Sequence, residues 1–313
     1  MGKVTKKYIS LILLVLVPSF IYADSKRGEV KSFYELEKRV MKAKNLKQTL
    51  IVMDDDDTLT MMKCNKNKGF KNCQYLGGPA WYAWQDKILK DYLNYGKDNV
   101  YRIASTEQEL IDISTLLFNL NKMPYTEKSI PNVLSRLSNK GVKLLVETAR
   151  GGDTVNATTT QFTKLKTSNG TFMDLIEQNG LKFGKEKMAS LASPFIPCGK
   201  EKARKVSYQR GAMYLAGQNK GEMLKCLLSQ YKDSKITEIF FIDDTLQNVK
   251  DMNKAFKNDP KYTVHALHYT AFNEHKDALT KGENKDFFQQ QAHVRWLTIK
   301  SMMEDTLLKP NIK

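Results

Sequence analysis

Apolar positions along this chain recur with two different periods, and the alternation between them lays out a series of elements. "VKSFYELEKRVMKAKN" sets Phe33, Leu36, Val40 and Met41 at helical spacing. It leads into "QTLIVM", a short unbroken apolar run that reads as a buried strand ending at Met53. From Thr60 to about Thr126 the spacing is mostly helical, clearest in "AWYAWQDKILKDYLNYG" and "TEQELIDISTLLFNLNK". "SIPNVLSRLSNKGVKLLVETARGG" predicts a helix, a turn at Gly141, a strand and a loop, with another helix over Val155 to Lys164. "SYQRGAMYLAG" reads as a strand or hairpin, and a helix begins near Lys220. "KITEIFFIDDTLQNVKDMNKAF" predicts a buried strand, an acidic turn and a helix; "YTVHALHY" is a last strand before closing helices. Strands alternating with helices imply an α/β fold, a Rossmann-like parallel sheet with helical crossovers.

In open α/β sheets, functional groups gather at the carboxyl ends of strands. Three predicted strands end in chemically capable groups: "DDDDT", "ETARGG" and "DDTLQN". The run Asp54 to Asp57 poses a physical problem, because adjacent carboxylates repel and must be either solvated or held by a cation.

The N-terminus changes the reading of the cysteines. A basic start, "MGKVTKK", precedes an apolar core, "YISLILLVLVPSFIY", and a small residue at Ala23, the layout of a secretory signal peptide cleaved after Ala23. The apolar run is short for a membrane span and nothing later reaches the length, so no transmembrane span is expected after cleavage. An exported chain, periplasmic or secreted, meets an oxidising compartment, where Cys64 and Cys73 can close the polar loop "CNKNKGFKNC". Cys226, inside "GEMLKCLL", reads as a buried thiol. No CxxC is present, and His265, His268, His275 and His293 lack ligand spacing, which argues against zinc. With 41% hydrophobic and 10% aromatic residues the chain is globular rather than disordered. Its formal charge of +16 becomes +13 once Lys3, Lys6 and Lys7 leave with the leader, which favours anionic partners. The lysines are scattered and no nucleic-acid module is recognisable, so specific nucleic-acid recognition is not expected.

The strand-end groups, in their order, resemble the haloacid dehalogenase (HAD-like) superfamily of aspartyl phosphatases and phosphotransferases. "IVMDDDDTL" supplies its D-x-D-x-T motif as Asp54, Asp56 and Thr58; Thr148 in "KLLVETAR" matches the second motif. Lys220 in "GQNKGEML" matches the third, with Lys200, Lys202 and Lys205 as alternatives. Asp243 and Asp244 in "FFIDDTLQN", with Asn248, match the fourth, although both could equally cap the helix that follows. The narrower likeness is to a secreted bacterial branch of that superfamily.

The resemblance implies a magnesium-dependent phosphatase acting on a phosphorylated small molecule. Asp54 would be the nucleophile and Asp56 the acid/base, while Thr148 and Lys220 would hold the phosphoryl group. Magnesium would be held by the Asp54 carboxylate, the Asp56 carbonyl and Asp244, with Asp243 close by or acting through water. Asp55 and Asp57 are expected to point away, to backbone or solvent. Arg150 is a candidate substrate contact. The implied organisation is a leader at 1–23, a HAD-like core at 24–60 and 127–313, and a helical cap at 61–126. Within the cap, Trp81, Tyr82 and Trp84 are candidates to line the cleft, or to form the cap's own core. A competing reading is a secreted non-catalytic protein of this fold that binds anionic lipid, polysaccharide or nucleic acid.

Overall fold

A computed structural model of the chain describes residues 26–64, 73–199, 202–231 and 235–308. The expected leader lies outside them. No helix among the described residues is long and apolar enough to cross a membrane.

The apolar run before the aspartates forms β2 (Thr49–Met53), buried at every position. It is flanked by β3 (Lys143–Thr148) on one side and β8 (Glu238–Asp243) on the other, both parallel to it. The sheet continues through β9 (Thr263–Tyr269) to β1 (Lys26–Val30) at one edge, and through β7 (Ala212–Tyr214) to β6 (Ser207–Gln209) at the other. Within this sheet only the β6–β7 pair is antiparallel, so the seven-stranded order β1-β9-β8-β2-β3-β7-β6 is the mostly parallel sheet that the alternating periods predict; β4 (Lys166–Thr167) and β5 (Gly170–Thr171) form a separate antiparallel pair.

Helices cover both faces. On one lie α1 (Phe33–Val40), α4 (Ile130–Asn139), α5 (Val155–Lys164) and α6 (Phe172–Asn179). Their Phe33, Leu134, Phe162 and Phe172 pack against Ile51, Val146 and Ile242. On the other lie α7 (Lys220–Gln230) and α8 (Leu246–Phe256), whose Leu224, Leu227, Met252 and Phe256 pack against Val52, Leu145 and Phe241. Alternate residues of β2 therefore feed opposite clusters, which is why its apolar run is continuous. Met41 caps α1 and is exposed, outside the core face that its spacing suggested.

Between β2 and β3 the chain forms α2 (Pro79–Tyr95) and α3 (Glu107–Leu120). These share a third cluster with the C-terminal α10 (Lys285–Leu308): Trp81, Trp84, Ile88, Leu110 and Leu117 meet Phe288, Ala292 and Trp296. The inserted helices thus do not bury their apolar faces alone.

Two elements lie outside the predicted set: α6, although Thr171 and Asp174 form a capping box ahead of the apolar Phe172, Met173 and Ile176, and β1, which carries little sequence signal. "KRGEV" has one buried residue and sits at the sheet edge, where period-2 patterning is weakest. Both cysteine pairs form disulfides, Cys64–Cys73 and Cys198–Cys226. The reading of Cys226 as a free buried thiol is therefore corrected. Its partner arrives from a distant loop, which local pattern could not reveal.

Candidate functional site

Register brings the strand ends together. Met53 is level with Ile242 on one neighbour and Val146 on the other, so Asp54 emerges beside Asp243 and close to Thr148. The Asp54 N–H donates to the Ile242 carbonyl at 3.0 Å, extending the ladder to the first aspartate.

Lys220 is the first residue of α7. A cation is poorly placed at a helix N-terminus, whose dipole repels it. Here it is nearly fully buried and bonded to Asp54 Oδ1 at 2.5 Å and Asp243 Oδ2 at 2.6 Å, which outweighs that repulsion. Gly221 makes the approach possible: a Cβ there would lie 2.7 Å from Ala255 Cβ and 2.8 Å from the Asp251 carbonyl of α8. Lys202 and Lys205, the described alternatives, are exposed on a loop. Asp243 is further fixed by the Thr245 N–H at 2.8 Å and by Asn248 Nδ2, 3.1 Å from each oxygen. It therefore steadies the start of α8 while facing the cluster, so capping and site roles coexist. Thr58 links two motifs, donating to Asp54 Oδ2 at 3.4 Å and accepting the Asp244 N–H at 3.0 Å.

All four aspartates of the run Asp54 to Asp57 are engaged. Asp55 and Asp57, expected to face backbone or solvent, are buried and bound to side chains, which corrects that expectation. Asp55 accepts from Thr60 at 2.7 Å and pairs with Arg150 Nη1 at 3.1 Å. Asp57, in the left-handed region with φ of 59°, turns its carboxylate to His275 Nδ1 at 2.9 Å. Arg150 also holds Asp56 through Nε at 3.0 Å and Nη2 at 2.6 Å, and donates to Thr158 and Gln161. With its guanidinium 4.3 Å from the Phe118 ring centre, this arginine is built into the site wall. Thr148 is fully buried and accepts the Arg150 N–H at 3.3 Å. Trp81 and Trp84 are not brought to the carboxylates; they are buried in the helical cluster, with Tyr82 packed at its margin.

Three further residues reach the site without a sequence signal. Lys276, on the short α9 (Asn273–Asp277), meets Asp244 Oδ2 at 2.7 Å. His275 precedes it on the same turn. Glu147, at the penultimate position of β3, is fully buried, and neither of its oxygens has a hydrogen-bond partner among the described residues. Each lies in apolar or unpatterned sequence and gains meaning only from its neighbours in space.

Burial dominates the electrostatics. It raises the Asp54 carboxyl well above its ordinary range; Lys220 opposes this, while Asp243, Asp244 and Asp56 add to it. Asp244 is pushed to about 7, by burial first, against the pull of Lys276. Glu147 is raised well above its usual value by burial. Oxygens of Asp54, Asp243 and Asp244 lie within 4.8 Å of one another, and all three residues are buried. Five aspartates, Asp54, Asp55, Asp56, Asp243 and Asp244, face three cations, Lys220, Arg150 and Lys276, so carboxyls outnumber the basic groups. A hard, oxygen-seeking divalent ion fits such a donor set. Cys64, Cys73 and His275 also converge, but both sulfurs are consumed by the disulfide.

A family model described as "Protein of unknown function (DUF2608)" matches residues 29–309. No curated protein matches the sequence. Among solved structures, cytosolic 5'-nucleotidase IIIB bound to cytidine is similar at 13% identity, over 85% of this chain and 91% of that one, with a TM-score of 0.25. A likeness that low carries no argument about this site.

Proposed function

We propose that this chain, which belongs to the family described as Protein of unknown function (DUF2608), is an exported, magnesium-dependent phosphatase of the haloacid dehalogenase type. It hydrolyses a phosphate monoester through an aspartyl-phosphate on Asp54. One arrangement supports the reading above all: a buried lysine bonded to both Asp54 and Asp243 at adjacent strand ends, with Thr148 closing the next.

In the first half-reaction an Asp54 oxygen attacks phosphorus and the bond to the leaving oxygen breaks, that oxygen taking its proton from Asp56. In the second, Asp56 takes a proton from water, whose oxygen attacks the same phosphorus and releases inorganic phosphate and the Asp54 carboxylate. Lys220 and Thr148 offset charge on the phosphoryl oxygens. Arg150 fixes the Asp56 carboxylate by two hydrogen bonds, and so acts as its orienting partner rather than as a direct substrate contact. A magnesium ion on Asp54, Asp243 and Asp244, with the Asp56 carbonyl, supplies charge neutralisation when bound. The insertion at 61–126 serves as the cap that selects the substrate, with Trp81 and Trp84 as its core. The two disulfides are compatible with an oxidising destination.

The test is turnover of an aryl phosphate with magnesium. Asp54→Asn should abolish it while leaving the fold intact by circular dichroism; activity that survives this change would sink the assignment. Failure on a broad phosphate panel, together with salt-sensitive polyanion binding that persists in Asp54→Asn, would favour the non-catalytic reading.

A further inference from the structure

Each carboxylate of the candidate metal cluster carries a lysine. Lys220 serves Asp54 and Asp243, whereas Asp244 is served by Lys276, which no motif predicts. Lys276 Nζ lies 2.7 Å from Asp244 Oδ2 and donates to the Asp244 carbonyl at 3.2 Å and to the Thr245 hydroxyl. A divalent ion that uses this oxygen must compete with an ammonium already on it.

The two lysines differ in how firmly they are held. The Lys220 side chain is 2% exposed and bridges two buried carboxylates, so it has nowhere to go. The Lys276 side chain is 33% exposed and contacts one carboxylate at the rim, on a flexible four-carbon stem that can carry its charge into water. Its backbone is tethered regardless. His275, one residue earlier, is buried against Asp57, and Ala278 and Leu279, just beyond α9, are buried in the helical cluster. The segment can therefore release the ammonium without moving the helix.

We propose that Lys276 is a placeholder cation at the metal site: it neutralises Asp244 until a divalent ion binds and displaces its ammonium into solvent. This inference rests on the metal-site part of the proposed function and is independent of the phosphatase chemistry.

The experiment uses the full chain and magnesium chloride as titrant, followed by calorimetry. Lys276→Gln removes the competing charge and should bind magnesium several-fold more tightly than wild type. Lys276→Arg keeps the charge and should stay within about twofold. Lys281→Gln, which alters an exposed lysine paired with Asp277 rather than with a carboxylate of the cluster, should leave the isotherm unchanged. A second measurement needs no variant. Amine acetylation of the wild-type protein, read by mass spectrometry, should modify Lys276 faster with magnesium than with chelator. An unchanged or weaker isotherm for Lys276→Gln overturns the proposal, and so does magnesium-independent labelling of Lys276. If wild type binds magnesium but shows either result, this inference alone fails. If wild type binds no magnesium, the metal site fails with it.

Discussion

Asp54, Asp55, Asp56 and Asp57 are consecutive in sequence, yet they reach Lys220, Arg150 and His275 in different directions. A run of like charges becomes tolerable when the backbone turns sharply enough to hand its members to different partners. Glu147 shows the opposite tendency, a carboxyl whose burial favours the uncharged form. In the unfolded chain it ionises near 4.5, but burial holds its proton in the fold, with Lys220 opposing and Asp243 adding to the effect. Above that ordinary value the folded state binds one more proton than the unfolded state, so this group's contribution to stability declines as pH rises. Glu147→Gln carries no such proton. Its unfolding free energy, measured by urea titration in chelator, should fall less than that of wild type between about pH 5 and 8. Parallel profiles would show that Glu147 is ionised in the fold.

At the scale of elements, the site depends on how α7 is seated. Gly221 lets α7 approach α8, and the Cys198–Cys226 disulfide ties the middle of α7 to the loop before β6. The disulfide closes a sequence separation of 28 residues, and loop-closure entropy at that length corresponds to about 3–4 kcal/mol. Replacing both cysteines by serine should lower the unfolding free energy by about that amount, measured by guanidinium denaturation without reductant. Lys220, at the start of the same helix, is held by Asp54, Asp243 and the close α7–α8 approach at Gly221 rather than by the disulfide, so magnesium affinity should change far less than stability. The periodicity that predicted α7 and α8 located both helices, but the bridge between α7 and its loop had no local signature.

For the whole molecule, the consequence is that the chain's C-terminal end completes its middle. Trp296 of α10 sits in one cluster with Trp81 and Trp84 of α2. Trp296→Ala should cost about 3–5 kcal/mol, the usual range for truncating a buried tryptophan. Its effect should be local: amide exchange should accelerate in α2, α3 and α10 well before β2 and β8. Uniform acceleration would mean that the helical cluster and the sheet unfold as one unit.

The strands β2, β3 and β8 were legible because a strand buried on both faces must be apolar throughout, and its end is marked where charge begins. The same rule made Asp54, Thr148 and Asp243 legible as strand-end groups, and the start of α7 placed Lys220. Sequence alone therefore determined the α/β layout and where its strands end, because both follow from short-range periodicity; Asp54, Thr148, Lys220 and Asp243 stood out among the strand-end and helix-start groups only because their order resembles the HAD-like motifs. Tertiary structure decided the partners: Arg150 on Asp56, His275 on Asp57, Lys276 on Asp244, and Cys198 with Cys226. The physical reason is range. Periodicity records which face of an element is buried, whereas ion pairs and disulfides join residues that only the folded sheet and its covering helices bring within a few ångströms.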